Sequence, residues 1–180
     1  MVAPRAVGEV IITEFMASNL ATLADGDGNY SDWIELRNTG PAAVSLAGWH
    51  LTDDPLELTK WIFPAGAATT LATGQYLIVF ASGTHLNAAN LPIAPYVDSG
   101  GRLHANFKLN ADGGYLALVK PDGLTVTSEF GTAGTPYPSQ QADVSYGLGA
   151  TRKILLAPGA PAVVRVPVDG SLGQTWTATA

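Results

Sequence analysis

The chain contains no cysteine, which excludes a disulfide scaffold, a thiolate metal site and a cysteine nucleophile. It leaves the compartment open, because a cysteine-free chain persists in any redox environment. Charged residues make up only 13%, about half the usual share. Thr, Ser, Asn and loop backbone must therefore dress the surface. No apolar run approaches the ~18 residues of a membrane span. The opening Met1-Val2-Ala3-Pro4-Arg5 has no apolar h-region, so no signal peptide is expected. A Walker loop is missing, and so is any sustained 3.6-residue apolar period that would mark a helix.

What is present is 180 residues, 47% apolar, with 20 glycines and 12 prolines. A chain of this size buries roughly 70% of its unfolded surface and needs no metal or disulfide to fold. Net charge is −6, unevenly spread. Residues 1–57 hold nine acids against two bases, and 58–180 hold six against seven. The acidic first third repels nucleic acid and invites a cation or a basic partner.

Short apolar-polar alternation predicts strands near 8–16, 32–38, 43–51, 59–63, 75–81, 114–120 and 124–130, rich in β-branched and aromatic residues. Asn38-Thr39-Gly40-Pro41, Asp112-Gly113-Gly114 and Pro121-Asp122-Gly123 separate them, each with the turn chemistry of proline or glycine. Seven or more short strands at this spacing point to an all-β sandwich. Its expected core includes Ile12, Ile34, Leu36, Trp49, Leu77, Val79, Leu116 and Leu118. Trp49 and Trp61 read as core aromatics. Trp33 falls on the strand face opposite Ile34, and so is the best candidate for an exposed aromatic platform for sugar. Residues 82–102 read as a long polar loop.

The domain is expected over residues 1–150, with 151–180 a linker and the first strand of a truncated following domain. Val164, Val166 and Val168 alternate on one face of that strand, which wants cover. Docking on its own sandwich gives a monomer, and pairing with a second chain gives a strand-exchanged dimer.

The order of these signals resembles the lamin tail domain in its bacterial form. The resemblance rests on Ile12-Thr13-Glu14-Phe15-Met16-Ala17-Ser18-Asn19, Asp32-Trp33-Ile34-Glu35-Leu36-Arg37-Asn38 and Val44-Ser45-Leu46-Ala47-Gly48-Trp49-His50-Leu51-Thr52-Asp53. It continues through Lys60-Trp61-Ile62-Phe63-Pro64, the stretch Leu71 to Gly83, and Asn106-Phe107-Lys108-Leu109. It covers about residues 8–147. It implies an immunoglobulin-like β-sandwich without a catalytic residue set. In bacteria such modules accompany hydrolase or adhesive domains in large secreted or envelope proteins, and in nuclear lamins the domain is a binding platform.

Asp25-Gly26-Asp27-Gly28-Asn29-Tyr30-Ser31-Asp32 is the most suggestive segment for chemistry. Oxygens at alternating positions can converge on Ca²⁺, as in the first half of an EF-hand loop. Asp25, Asp27, Asn29 and Asp32 are the candidate ligands, with Asp53 or Asp54 contributing. Tyr30 stands where that motif needs glycine, and Leu36 where it needs a bidentate Glu. The competing reading is a solvated turn. Val97-Asp98-Ser99-Gly100-Gly101 is similar to the nucleophile segment of chymotrypsin-like proteases, but Val97 replaces a glycine and no histidine segment accompanies it. That stretch reads as a turn. His50, His85 and His104 are scattered and read as surface or satisfied histidines rather than zinc ligands. Glu14 and Glu35 could serve a glycosidase at the right separation, but read as polar strand positions. Asn29-Tyr30-Ser31 is a glycosylation sequon only in a eukaryotic secretory pathway.

The expected function is a non-catalytic binding or adhesion module of a larger bacterial secreted or cell-surface protein. Its partner is a protein or polysaccharide, with no cofactor other than candidate calcium. The alternative is an accessory fragment of a hydrolase or carbohydrate-active enzyme. Nucleic-acid binding is disfavoured by the charge and the scattered bases.

Overall fold

The computed structural model describes residues 5–6, 9–83 and 96–148. Thirteen short strands fill this region. They are β1 (Arg5–Ala6), β2 (Val10–Met16), β3 (Asp32–Asn38), β4 (Val44–Ser45), β5 (His50–Thr52), β6 (Trp61–Ile62) and β7 (Thr70–Leu71). The remainder are β8 (Tyr76–Ala81), β9 (Tyr96–Val97), β10 (Leu103–His104), β11 (Leu116–Val119), β12 (Val126–Phe130) and β13 (Tyr146–Gly147). A single 3₁₀ turn, Ala67–Thr69, is the only helical piece among the described residues. The first compact unit is Met1–Leu148 and the second Gly149–Ala180. The connector and tail strand expected at 151–180, with Val164, Val166 and Val168, lie outside the described residues. So do His85 and positions 84–95 of the expected long loop.

Two sheets make the sandwich. One runs β1-β12-β11-β5-β6, the other β13-β2-β3-β8-β10-β9, and β4 pairs with β7 apart from them. Alternation decides which residues face inward. In the larger sheet Phe15, Ile34, Val79 and Leu103 lie side by side across four strands. All four join the shared core with Leu51, Leu116, Leu118 and Phe130 from the opposite sheet. Phe15 packs its ring edge-on to Phe130 at 5.2 Å, a geometry that aligns aromatic quadrupoles. The expected core residues are buried, with Leu77 partly so and packed against that core. Near Thr13 the β2–β3 register shifts. The Ile12 amide donates instead to the Ser128 hydroxyl of the other sheet at 3.1 Å, in a buried bond.

Two expectations need correction. The strand expected over 43–51 is broken into β4 and β5, because Gly48 takes φ +78° and the Trp49 amide turns back to the Leu46 carbonyl. Trp33 does lie on the face opposite Ile34, but it is only 7% exposed. It packs with Met16, Phe80, Leu23 and Ile78 in a second small core. Leu23 belongs to the loop joining β2 to β3, so that loop covers the ring and removes the exposed platform.

Candidate functional site

At one end of the larger sheet, two glycine-rich loops interlock. In the loop before β3, Asp25 Oδ1 accepts the amides of Asp27 at 3.0 Å and Asn29 at 2.8 Å, and the Gly28 amide donates to the Asp25 carbonyl. This is the local turn that Asp and Gly favour. The Gly26 amide then reaches 72 residues along the chain to Asp98 Oδ2 at 2.5 Å. Ser99 returns its hydroxyl to the Gly26 carbonyl at 2.5 Å and its amide to Asp27 Oδ1 at 3.1 Å. A Cβ on Gly26 would overlap the Gly100 amide nitrogen and the Asp98 carboxylate. A Cβ on Gly100 would sit 3.0 Å from Gly26 Cα. The calcium-like segment and the protease-like segment are thus two halves of one clasp, and glycine is required where their backbones meet.

Asp98 is the hub of the clasp. Its carboxylate also accepts the amides of Gly100 at 2.9 Å and Arg102 at 2.8 Å. Burial pushes its carboxyl up, but the amide donors and His104 outweigh burial and hold it below the usual range. His104 Nε2 lies 3.2 Å from Asp98 Oδ2, and Nδ1 lies 2.9 Å from the Ser82 hydroxyl. An ionised carboxylate only accepts, so the proton between the two sits on Nε2. His104 also stacks on Phe80 at 5.3 Å, its partner across the parallel β8–β10 pair. Ser82, His104 and Asp98 are 6%, 2% and 5% exposed. They form a Ser–His–Asp chain beneath the surface.

The other candidate residues are placed as follows. The Asp32 carboxylate accepts the Leu109 amide at 3.0 Å. Asp53 pairs with Lys60 at 2.7 Å, and Asp54 Oδ1 accepts the Leu56 amide within its own turn. Among the described residues no three His, Asp or Glu side chains are grouped to hold a metal ion. One carboxylate oxygen each of Asp25, Asp27 and Asp32 is turned to backbone amides. His50 sits on β5 beside Ile62 and Val119, whereas His104 belongs to the other sheet. Burial holds the His50 ring below its usual pKa. Glu14 and Glu35 are cross-strand neighbours. Glu14 accepts the Ser145 hydroxyl, and Glu35 accepts the Thr13 hydroxyl at 2.6 Å. Both serve as polar strand positions.

Beside this chain a polar pocket of about 110 Å³ opens between the start of β3 and the end of β8. Tyr30, Ser31, Asp32, Ala81, Ser82 and Lys108 line it. Burial raises the Asp32 carboxyl, against the Leu109 amide and the Lys108 charge that lower it. The Ser31 carbonyl accepts from the buried Asn19 side chain at 2.8 Å. Ser82 escapes sequence reasoning altogether. Its only signal is that it shares the outward parity of Phe80, and its link to His104 depends on a parallel pairing that local pattern does not encode.

Comparison with known families gives one match, to a model described as Lamin Tail Domain over residues 3–132. Comparison with curated proteins finds no match.

Proposed function

The chain belongs to the lamin tail domain family, and from that premise we propose that it is a binding or adhesion module of a larger bacterial protein, secreted or held at the cell surface. The family fold is an immunoglobulin-like sandwich without catalytic machinery. One observation carries the binding reading. The chain's Ser–His–Asp arrangement is spent as a buried brace, with Asp98 receiving three backbone amides as well as facing His104. It holds the end loops rigid, and rigid loops on a sandwich are what recognition uses.

The same three residues favour one rival, a hydrolase fragment in which Ser82 is the nucleophile. A joint assay separates the two. The purified chain is sedimented with bacterial envelope and insoluble polysaccharide preparations, and offered nitrophenyl esters and glycosides. Co-sedimentation without turnover is expected. Ester hydrolysis that vanishes in Ser82→Ala and His104→Asn would overturn the module reading in favour of the hydrolase.

A further inference from the structure

We propose that the pocket between β3 and β8 is a recognition site for a neutral saccharide, with the Tyr30 ring as the stacking face and Asp32, Ser31, Ser82 and Lys108 as the polar contacts. The proposal rests on the binding-module reading and names the ligand class for it.

The aromatic comes first. The fold buries Trp33, Trp49, Trp61, Phe63, Phe80 and Phe130, yet it leaves Tyr30 50% exposed at the pocket mouth. Tyr76 is 49% exposed, but the Arg37 guanidinium lies over its ring at 5.0 Å. No described residue stacks on Tyr30. An aromatic ring offers the apolar C–H face of a sugar a flat surface at low entropy cost, and its hydroxyl stays in water.

The polar wall sets the ligand's charge. Lys108 and Asp32 are close enough for the lysine to act on the carboxyl, so the pocket presents an acceptor and a donor of opposite sign. A free anion or cation would be attracted by one and repelled by the other. A sugar hydroxyl donates and accepts at once and satisfies both. Leu109 and Asn19 supply amides to the Asp32 carboxylate, which still leaves lone pairs, since a carboxylate accepts about four bonds. The chain's net charge of −6 disfavours polyanionic glycans at long range.

Rigidity completes the case. Asp32 is fixed by the Leu109 amide, Ser31 by Asn19 and Ser82 by His104. A preorganised wall spends little entropy on binding. A volume of about 110 Å³ takes one edge of a sugar ring, with the rest of the oligosaccharide running over the exposed surface.

The test is calorimetric and NMR titration of the whole chain with cellohexaose, xylohexaose, maltohexaose and mannohexaose, and with a heparin octasaccharide as the polyanion. At least one neutral oligosaccharide should bind and shift the amides of residues 30–32 and 81–82. Tyr30→Ala should weaken it about tenfold, Tyr30→Trp should retain it, and Tyr76→Ala should leave it unchanged. Tyr30 is exposed, so its variants keep the fold. The proposal is overturned if no neutral oligosaccharide binds, if heparin binds better than all of them, or if Tyr30→Ala binds as the parent does. A chain that sediments with envelope material yet binds none of these sugars keeps the module reading and loses the pocket assignment. A chain that does neither loses both.

Discussion

Gly26→Ala should break the clasp between the two loops. Its new methyl group would overlap the Gly100 amide nitrogen and the Asp98 carboxylate, both held by other bonds, so the loops must part. Three contacts are then at risk: Gly26 to Asp98, the Ser99 hydroxyl to Gly26, and the Ser99 amide to Asp27. A neutral hydrogen bond contributes about 1 kcal/mol net and one to a charged group about 1.5–3 kcal/mol. Ser99 is exposed and water recovers part of its share. The loss should come to about 2–4 kcal/mol. For a domain near this size each kcal/mol is worth roughly 2–4 °C, so the melting temperature should fall by about 5–15 °C. Two controls separate the causes. Gly134 has open space around it and no positive φ, and Gly28 has open space but φ +84°. Gly134→Ala should be near neutral, and Gly28→Ala should cost about 1–2 kcal/mol from the left-handed backbone alone. Urea denaturation and calorimetry on the three variants give the ranking. If Gly26→Ala is no worse than Gly28→Ala, the clasp is not held by close backbone approach and the reasoning fails.

Three further outcomes follow from the same region. His104→Ala removes one hydrogen bond from the Asp98 carboxylate and should cost about 1.5–3 kcal/mol in urea denaturation, whereas Ser82→Ala should cost about 1 kcal/mol. The folded pKa of Asp98 lies below its ordinary value, so its contribution is present above the unfolded pKa of about 3.9 and is lost as pH falls through the depressed folded value. Asp98→Asn should therefore flatten the acid limb of stability against pH, and an unchanged limb would contradict the hub role. Millimolar Ca²⁺ should leave the melting temperature unchanged, because one oxygen of each of Asp25, Asp27 and Asp32 already serves backbone amides and no three acidic side chains among the described residues are grouped around one point. A rise by mass action would show that the loop gives up those bonds to the ion.

Strands with enough residues to show alternation were legible in the sequence. Asp32–Asn38 has the expected bounds, with Ile34 and Leu36 in the core. Thr70–Leu71, Leu103–His104 and Tyr146–Gly147 were not, since two residues carry no period. Parity placed Trp33 on the correct face but could not say what covers that face, because Leu23 arrives from a loop without periodic pattern. The clasp was visible as two separate oddities, Asp25 to Asn29 and Asp98 to Gly101. Each reads alone as a ligand loop or a turn, and only the fold shows that they complete one another across 72 positions.

The pairing of β13 with β2 has a mechanical consequence. The two strands are antiparallel, with Tyr146 opposite Phe15 and Gly147 opposite Glu14. The chain therefore enters β2 at Val10 and leaves β13 toward that same end, where the Leu148 amide still holds the Thr13 carbonyl. A load applied at Val10 and Leu148, once β1 has parted from β12, would draw neighbouring antiparallel strands apart from a shared end. The bonds of that ladder would load one after another, as in a zipper, and not all together as in shear. The seam would yield at low force and close again when the load is released, while the clasp at the far end of β2, beyond Met16, would feel none of it until the seam had opened.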